Sequence, residues 1–125
     1  MLALQYFLGI YVNAYLVAPY PRGGIFTAHY AVGLLLVGLG LVILVVSALT
    51  RSIPAIATSA MALIFVTLAG QAGRLFAFYG QDPVYSVVMA LGFLLAFASY
   101  FSELLVVRSM ISRTSAQPSK TFNAP

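Results

Sequence analysis

The sequence predicts an all-α integral membrane protein whose four transmembrane helices form an antiparallel bundle. Of its 125 residues, 62% are hydrophobic and 6% are charged, whereas about 25% are charged in an ordinary soluble domain. The hydrophobic residues form four continuous runs, at 2–18, 29–49, 53–79 and 84–107. A hydrocarbon core of about 30 Å requires roughly 20 helical residues, so the last three runs are long enough and the first is at the short end. Continuous runs favour helices over the alternating strands of a membrane barrel.

The first run resembles a secretory signal in length, but it lacks a basic start and a small-residue cleavage site. Tyr11, Asn13 and Tyr15 also interrupt its hydrophobic stretch. We therefore expect a retained first helix. Pro19 and Pro21 follow it, and proline inside a helix removes a backbone donor, so the helix should end there.

The later connections carry ordinary turn residues. Arg51 and Ser52 precede Pro54, which suits the first turn of the third helix. Asp82 lies directly before Pro83, as expected for an N-cap residue followed by proline in the first helical position. The sequence thus predicts one transmembrane domain, residues 1–108, followed by a polar and flexible cytoplasmic tail, residues 109–125.

Basic residues predict the orientation, because they favour the cytoplasmic side of a membrane. With four spans, one side holds four of them (Arg51, Arg108, Arg113 and Lys120) and the other holds two (Arg22 and Arg74). We therefore expect a multi-pass protein of the cell membrane (plasma or inner membrane) with both termini in the cytoplasm. The net charge is +4, and the basic residues lie singly between hydrophobic runs. This distribution indicates how the chain is oriented in the membrane, and we expect no nucleic-acid partner.

Three ionisable residues fall inside the runs, where they are costly and mark a functional site or an internal pair by default. His29, Arg74 and Glu103 each share a helical face with small or polar residues, which is the face that membrane helices use for close packing. The predicted packing positions are Gly33, Gly40, Gly70, Gly92 and Ala96. The three ionisable side chains should therefore face the bundle interior or a partner chain.

The depths of these residues predict two polar clusters. The outer polar cluster comprises His29, Gln71, Arg74 and Asp82, and the inner polar cluster comprises Glu103 and Arg51. Each of the three ionisable residues could also have a purely structural role. Arg74 could extend to the headgroups or pair with Asp82, and Glu103 could form a clasp with Arg51 or Arg108. His29 could bond to a loop carbonyl.

The usual catalytic patterns are missing from the sequence. It has no cysteine and one histidine, so one chain cannot assemble a zinc site or a bis-histidine haem site, and His29 is left as a single candidate ligand. No nucleophile motif or phosphate-binding loop occurs. The sequence requires no cofactor and does not indicate an enzyme that acts alone.

Three functions are compatible with this pattern. The first is a non-catalytic accessory subunit of a larger membrane complex, such as a respiratory or redox assembly, in contact with lipid and with other subunits. The second is a transporter or channel built from copies of the chain, with Glu103, Arg74 and His29 in its path. The third is a haem- or quinone-binding membrane protein that uses His29.

Overall fold

The computed structural model describes residues 1–15 and 24–115, with side chains over 1–11 and 24–113. This part of the chain contains four α-helices: α1 (Leu2–Tyr15), α2 (Gly24–Leu49), α3 (Ile53–Phe78) and α4 (Pro83–Ser115). The all-α prediction is confirmed. The segment with Pro19, Pro21 and Arg22 lies outside the described residues, as do residues 116–125 with Lys120.

Three of the four helices could cross a membrane. Helices α2, α3 and α4 are long and hydrophobic enough to do so, which is consistent with a multi-pass protein in contact with lipid. Helix α1 has 14 residues and rises only about 21 Å at 1.5 Å per residue. It is therefore shorter than the hydrocarbon core that the other three helices could span.

Two helices are longer than the sequence predicts. Helix α2 begins at Gly24 instead of residue 29, since no helix breaker separates the two positions. Helix α4 continues to Ser115 instead of ending at residue 107, so the predicted domain boundary at 108 falls inside a helix. Serine hydroxyls there donate to backbone carbonyls, from Ser109 to Val106 and from Ser112 to Arg108. These hydroxyls find their partners within the helix, so the polar residues here do not end it.

The helices pack in the ring order α1, α2, α3, α4, and α1 returns to touch α4. The contact between α3 and α4 is the most extensive. It depends on small residues: a Cβ atom added to Gly92 would lie 3.2 Å from the Phe65 carbonyl oxygen and 3.2 Å from the Ala69 nitrogen. Ala62 and Ala96 are fully buried. Small side chains let these two backbones approach closely, as membrane helices require.

The bundle has its hydrophobic centre at Leu36, Val66 and Ala96, and Leu2 packs against this cluster from α1. Helices α1 and α2 run antiparallel, because Gly9 faces His29 while residue 5 faces residue 33. Helix α1 thus begins beside the middle of α2 and covers only the N-terminal half of it.

The turn between α3 and α4 explains how the chain reverses within four residues. Gly80 and Gln81 have positive φ values of 99° and 58°. The Gln81 N–H donates to the Phe76 carbonyl, which closes the helix end with a left-handed residue. Asp82 then accepts a 2.9 Å hydrogen bond from the Val84 N–H. Asp82 is therefore the N-cap of α4, as the sequence predicts, with Pro83 in the first helical position.

Candidate functional site

The crossing of α1 and α2 is built from two matched pairs, each a polar side chain over a glycine. A Cβ atom added to Gly9 would lie 3.2 Å from Cε1 of the His29 ring, and one added to Gly33 would lie 3.2 Å from Nε2 of Gln5. In each helix the polar residue precedes the glycine by four positions, so both lie on one face. Each helix therefore places its polar group on the glycine of the other.

A cavity of about 370 Å³ lies beside this crossing, in the half of the bundle that α1 covers. All four helices line it, mostly with hydrophobic side chains. Its polar lining includes Gln5, His29, Gln71 and Arg74. Its volume is at the lower end of the roughly 300–1,000 Å³ that small-molecule sites occupy.

Two lining residues carry buried polar atoms without a partner among the described residues: Oε1 of Gln5 and Nδ1 of His29. The His29 ring also donates a hydrogen bond to the backbone of Gln5, so its remaining nitrogen is an acceptor in the neutral ring. A buried polar atom without a hydrogen bond costs about 1–3 kcal/mol. Both side chains line the cavity, although these two atoms are themselves buried.

Arg74 lies at the mouth of the cavity among aromatic side chains: Phe26, Tyr30, Phe78 and Tyr79. Arg74 also lines the cavity itself, together with Phe26, Tyr30 and Phe78, so the mouth and the cavity are continuous. Within the outer polar cluster, the structure thus brings His29, Gln71 and Arg74 to one cavity. Asp82 instead lies in the exposed turn, where it caps α4.

The inner polar cluster is arranged around Glu103, which is only 6% exposed. Ser47 of α2 donates a 2.7 Å hydrogen bond to Oε1 of Glu103. The phenol of Tyr100 lies against Gly40 on the same side of the bundle. Arg51 is exposed in the turn after α2 with a φ of 54°. No ion pair joins Arg51 to Glu103 in the part of the chain that the structure describes.

The five predicted packing positions have different surroundings. Gly33, Gly40 and Gly92 lie in close contact with side chains or backbone of other helices, and Ala96 is fully buried. Gly70 is different, because no atom lies within 4 Å of a Cβ added there. It faces the cavity instead of a neighbouring helix.

Neither Gly9 nor Gln5 belongs to the polar clusters predicted from the sequence. The available signal was the shared spacing: Gln5 and Gly9 repeat the four-residue interval of His29 and Gly33. Two such intervals on consecutive helices indicate a crossing in which the polar side chain of each helix packs on the glycine of the other, because only glycine leaves room for it.

The site and the fold define a class of protein: an all-α chain with three helices able to span a membrane and a cavity between its helices. Comparison with protein-family models, curated proteins and solved structures finds no significant match to this chain.

Proposed function

We propose that this protein binds a small, mostly hydrophobic molecule with a polar group in the cavity between its four helices. The observation that carries the proposal is the lining of this cavity, which has hydrophobic walls from all four helices and a few polar side chains, among them Gln5, His29 and Arg74. Ligand pockets commonly combine such walls with a few polar groups that fix orientation. A quinone-like ring or a single-chain amphiphile has this chemistry, and both partition into lipid.

Filling the cavity should abolish binding. In Gly70→Leu the new side chain points into open cavity space, since nothing lies within 4 Å of the Cβ position. Gly38→Leu is the matched control, because Gly38 also has open space around it but does not line the cavity. Native mass spectrometry of protein purified in mild detergent should show a small-molecule adduct on the wild type and on Gly38→Leu, and none on Gly70→Leu. An adduct retained by Gly70→Leu, or missing from the wild type, would contradict the proposal.

We further propose that the protein lies in the cell membrane with α2, α3 and α4 crossing it and the C-terminus in the cytoplasm, while the N-terminus that the sequence also predicts there begins midway along α2. The support is the distribution of charge: Arg51 follows α2, and Arg108 and Arg113 lie in the last part of α4, at the same end of the bundle. Arg74 lies near the other end. Basic residues favour the cytoplasmic side. Helix α1 packs against α2 and α4, so we place it in the bilayer too, although it covers half their depth.

The absence of cysteine from the chain allows a direct test of this orientation. Tyr79→Cys, at a position 72% exposed between α3 and α4, should react with a membrane-impermeant maleimide in intact cells. Ser112→Cys, near the end of α4, should react only after permeabilisation. The reverse pattern would overturn the orientation. Reaction of both cysteines from one side would overturn a complete crossing by α4.

The accessory-subunit and transporter hypotheses of the sequence are not exclusive of a ligand-binding cavity. No contact among the described residues distinguishes a surface for another subunit, and both hypotheses stay predictions from the sequence.

A further inference from the structure

Charge is distributed unevenly around the cavity. Among the lining residues that the structure describes, Arg74 is the only one with a permanent charge, and no carboxylate lines either the cavity or its mouth. Asp82, the nearest acidic residue along the chain, is occupied as the N-cap of α4. No ion pair joins it to Arg74 in the described part of the chain. The cavity therefore combines a hydrophobic interior with one uncompensated cation at its mouth.

We infer that the ligand is a single-chain amphiphile with an anionic head, which Arg74 binds at the mouth while the chain enters the cavity. The inference rests on the proposed ligand-binding function and adds the charge class of the ligand. A guanidinium presents donors in a planar fork that matches a carboxylate or phosphate, and such charge-assisted hydrogen bonds are roughly twice as strong as neutral ones.

The surroundings of Arg74 fit such a ligand in two further respects. Phe26, Tyr30 and Phe78 line both the mouth and the cavity, so a chain attached to the bound head passes directly onto aromatic and aliphatic side chains. The volume of about 370 Å³ is near the minimum for small-molecule sites. The cavity beyond the mouth therefore has room for one hydrocarbon chain.

The test compares decanoate, which is anionic at pH 8, with neutral 1-decanol of the same chain length. Binding to the purified full-length protein in a non-ionic detergent is measured by native mass spectrometry titration. We expect decanoate to bind about tenfold more tightly than 1-decanol, as one charge-assisted hydrogen bond implies. In Arg74→Gln this preference should vanish while 1-decanol binds as before. Arg108→Gln, at an exposed arginine far from the cavity, should keep the preference. Acetate, which has the head without the chain, should not compete.

The outcomes distinguish a failure of the inferred anionic ligand from a failure of the proposed cavity function. Equal binding of decanoate and 1-decanol, or a preference that survives Arg74→Gln, overturns the anionic ligand and leaves the cavity function intact. Binding of neither compound overturns both. Competition by acetate would show a site for free anions instead of an amphiphile, and would also overturn the inference. Gly70→Leu should lose both compounds, and binding that survives this change would place the chain outside the cavity.

Discussion

Replacement of Gly92 by valine is expected to lower the free energy of unfolding by about 3 kcal/mol, the upper part of the usual range for overpacking. A Cβ atom at this position meets the Phe65 carbonyl and the Ala69 backbone nitrogen, both at 3.2 Å. These are backbone atoms within a helix, so they cannot turn aside as a long side chain can. The two helices must therefore separate, and their contact is the most extensive in the bundle.

The measurement is an unfolding titration with sodium dodecyl sulfate in mixed micelles. The chain has eight tyrosines and no tryptophan, so near-ultraviolet circular dichroism of tyrosine reports the loss of tertiary packing. Gly38→Val is the control, since Gly38 lies in a hydrophobic helix with nothing within 4 Å of its Cβ position. It should change stability by less than about 0.5 kcal/mol, as do most substitutions away from packed sites. Similar losses for the two variants would show that helix propensity matters here and close packing does not.

The helical class and three membrane-compatible helices follow from the sequence, because hydrophobic runs of about 20 residues have few other stable arrangements. The N-cap at Asp82 also follows, since proline in the next position fixes the local backbone. The helix ends are harder to predict. Helix α4 passes through Ser109 and Ser112, whose hydroxyls bond to carbonyls of their own helix. Polar composition alone does not distinguish such a segment from a loop.

The cavity could not be predicted, because it depends on the relative depth of helices that are separate in sequence. Gly70 and Gly92 both lie on small-residue faces of their helices, and the sequence predicts both as packing positions. Gly92 lies against a neighbouring backbone, whereas Gly70 faces open space. This difference in surroundings depends on how the four helices are placed relative to one another in the bundle. A stripe of small residues therefore indicates which face is turned inward, but it does not indicate whether that face meets a helix or a void.

The inner polar cluster shows a similar limit for side-chain pairing. Charge and depth suggest Arg51 as the partner of Glu103, but Arg51 lies beyond the end of α2 in the left-handed region. Ser47, one turn earlier, is buried and reaches the carboxyl group directly. A neutral hydroxyl costs less to bury than a guanidinium, so the shorter polar side chain is the partner of Glu103 inside the bundle.

Replacement of Ser47 by alanine is accordingly expected to cost about 1–3 kcal/mol, the penalty for a buried polar group that loses its hydrogen bond. The Glu103 carboxyl is 6% exposed and Ser47 is 5% exposed, so water does not readily replace the hydroxyl. Ser102→Ala is the matched control, because Ser102 is an exposed serine on the same helix as Glu103 and, among the described residues, donates to the Ala98 carbonyl of its own helix. The control should be nearly neutral in the same detergent titration.

Two substitutions together test the hydrogen bond between Ser47 and Glu103 more directly. Because the cost of Ser47→Ala comes from a polar group left without its partner, removal of that group should recover part of the lost stability. The variant with both Ser47→Ala and Glu103→Leu should therefore be more stable than Ser47→Ala alone. Glu103→Gln alone should cost less than about 1 kcal/mol, because the oxygen of its side-chain amide still accepts the hydrogen bond from Ser47. Residues in contact depart from additivity, whereas independent ones add. The single variant Glu103→Leu completes the cycle. If the losses of Ser47→Ala and Glu103→Leu simply add in the double variant, the hydrogen bond between Ser47 and Glu103 does not stabilise the bundle.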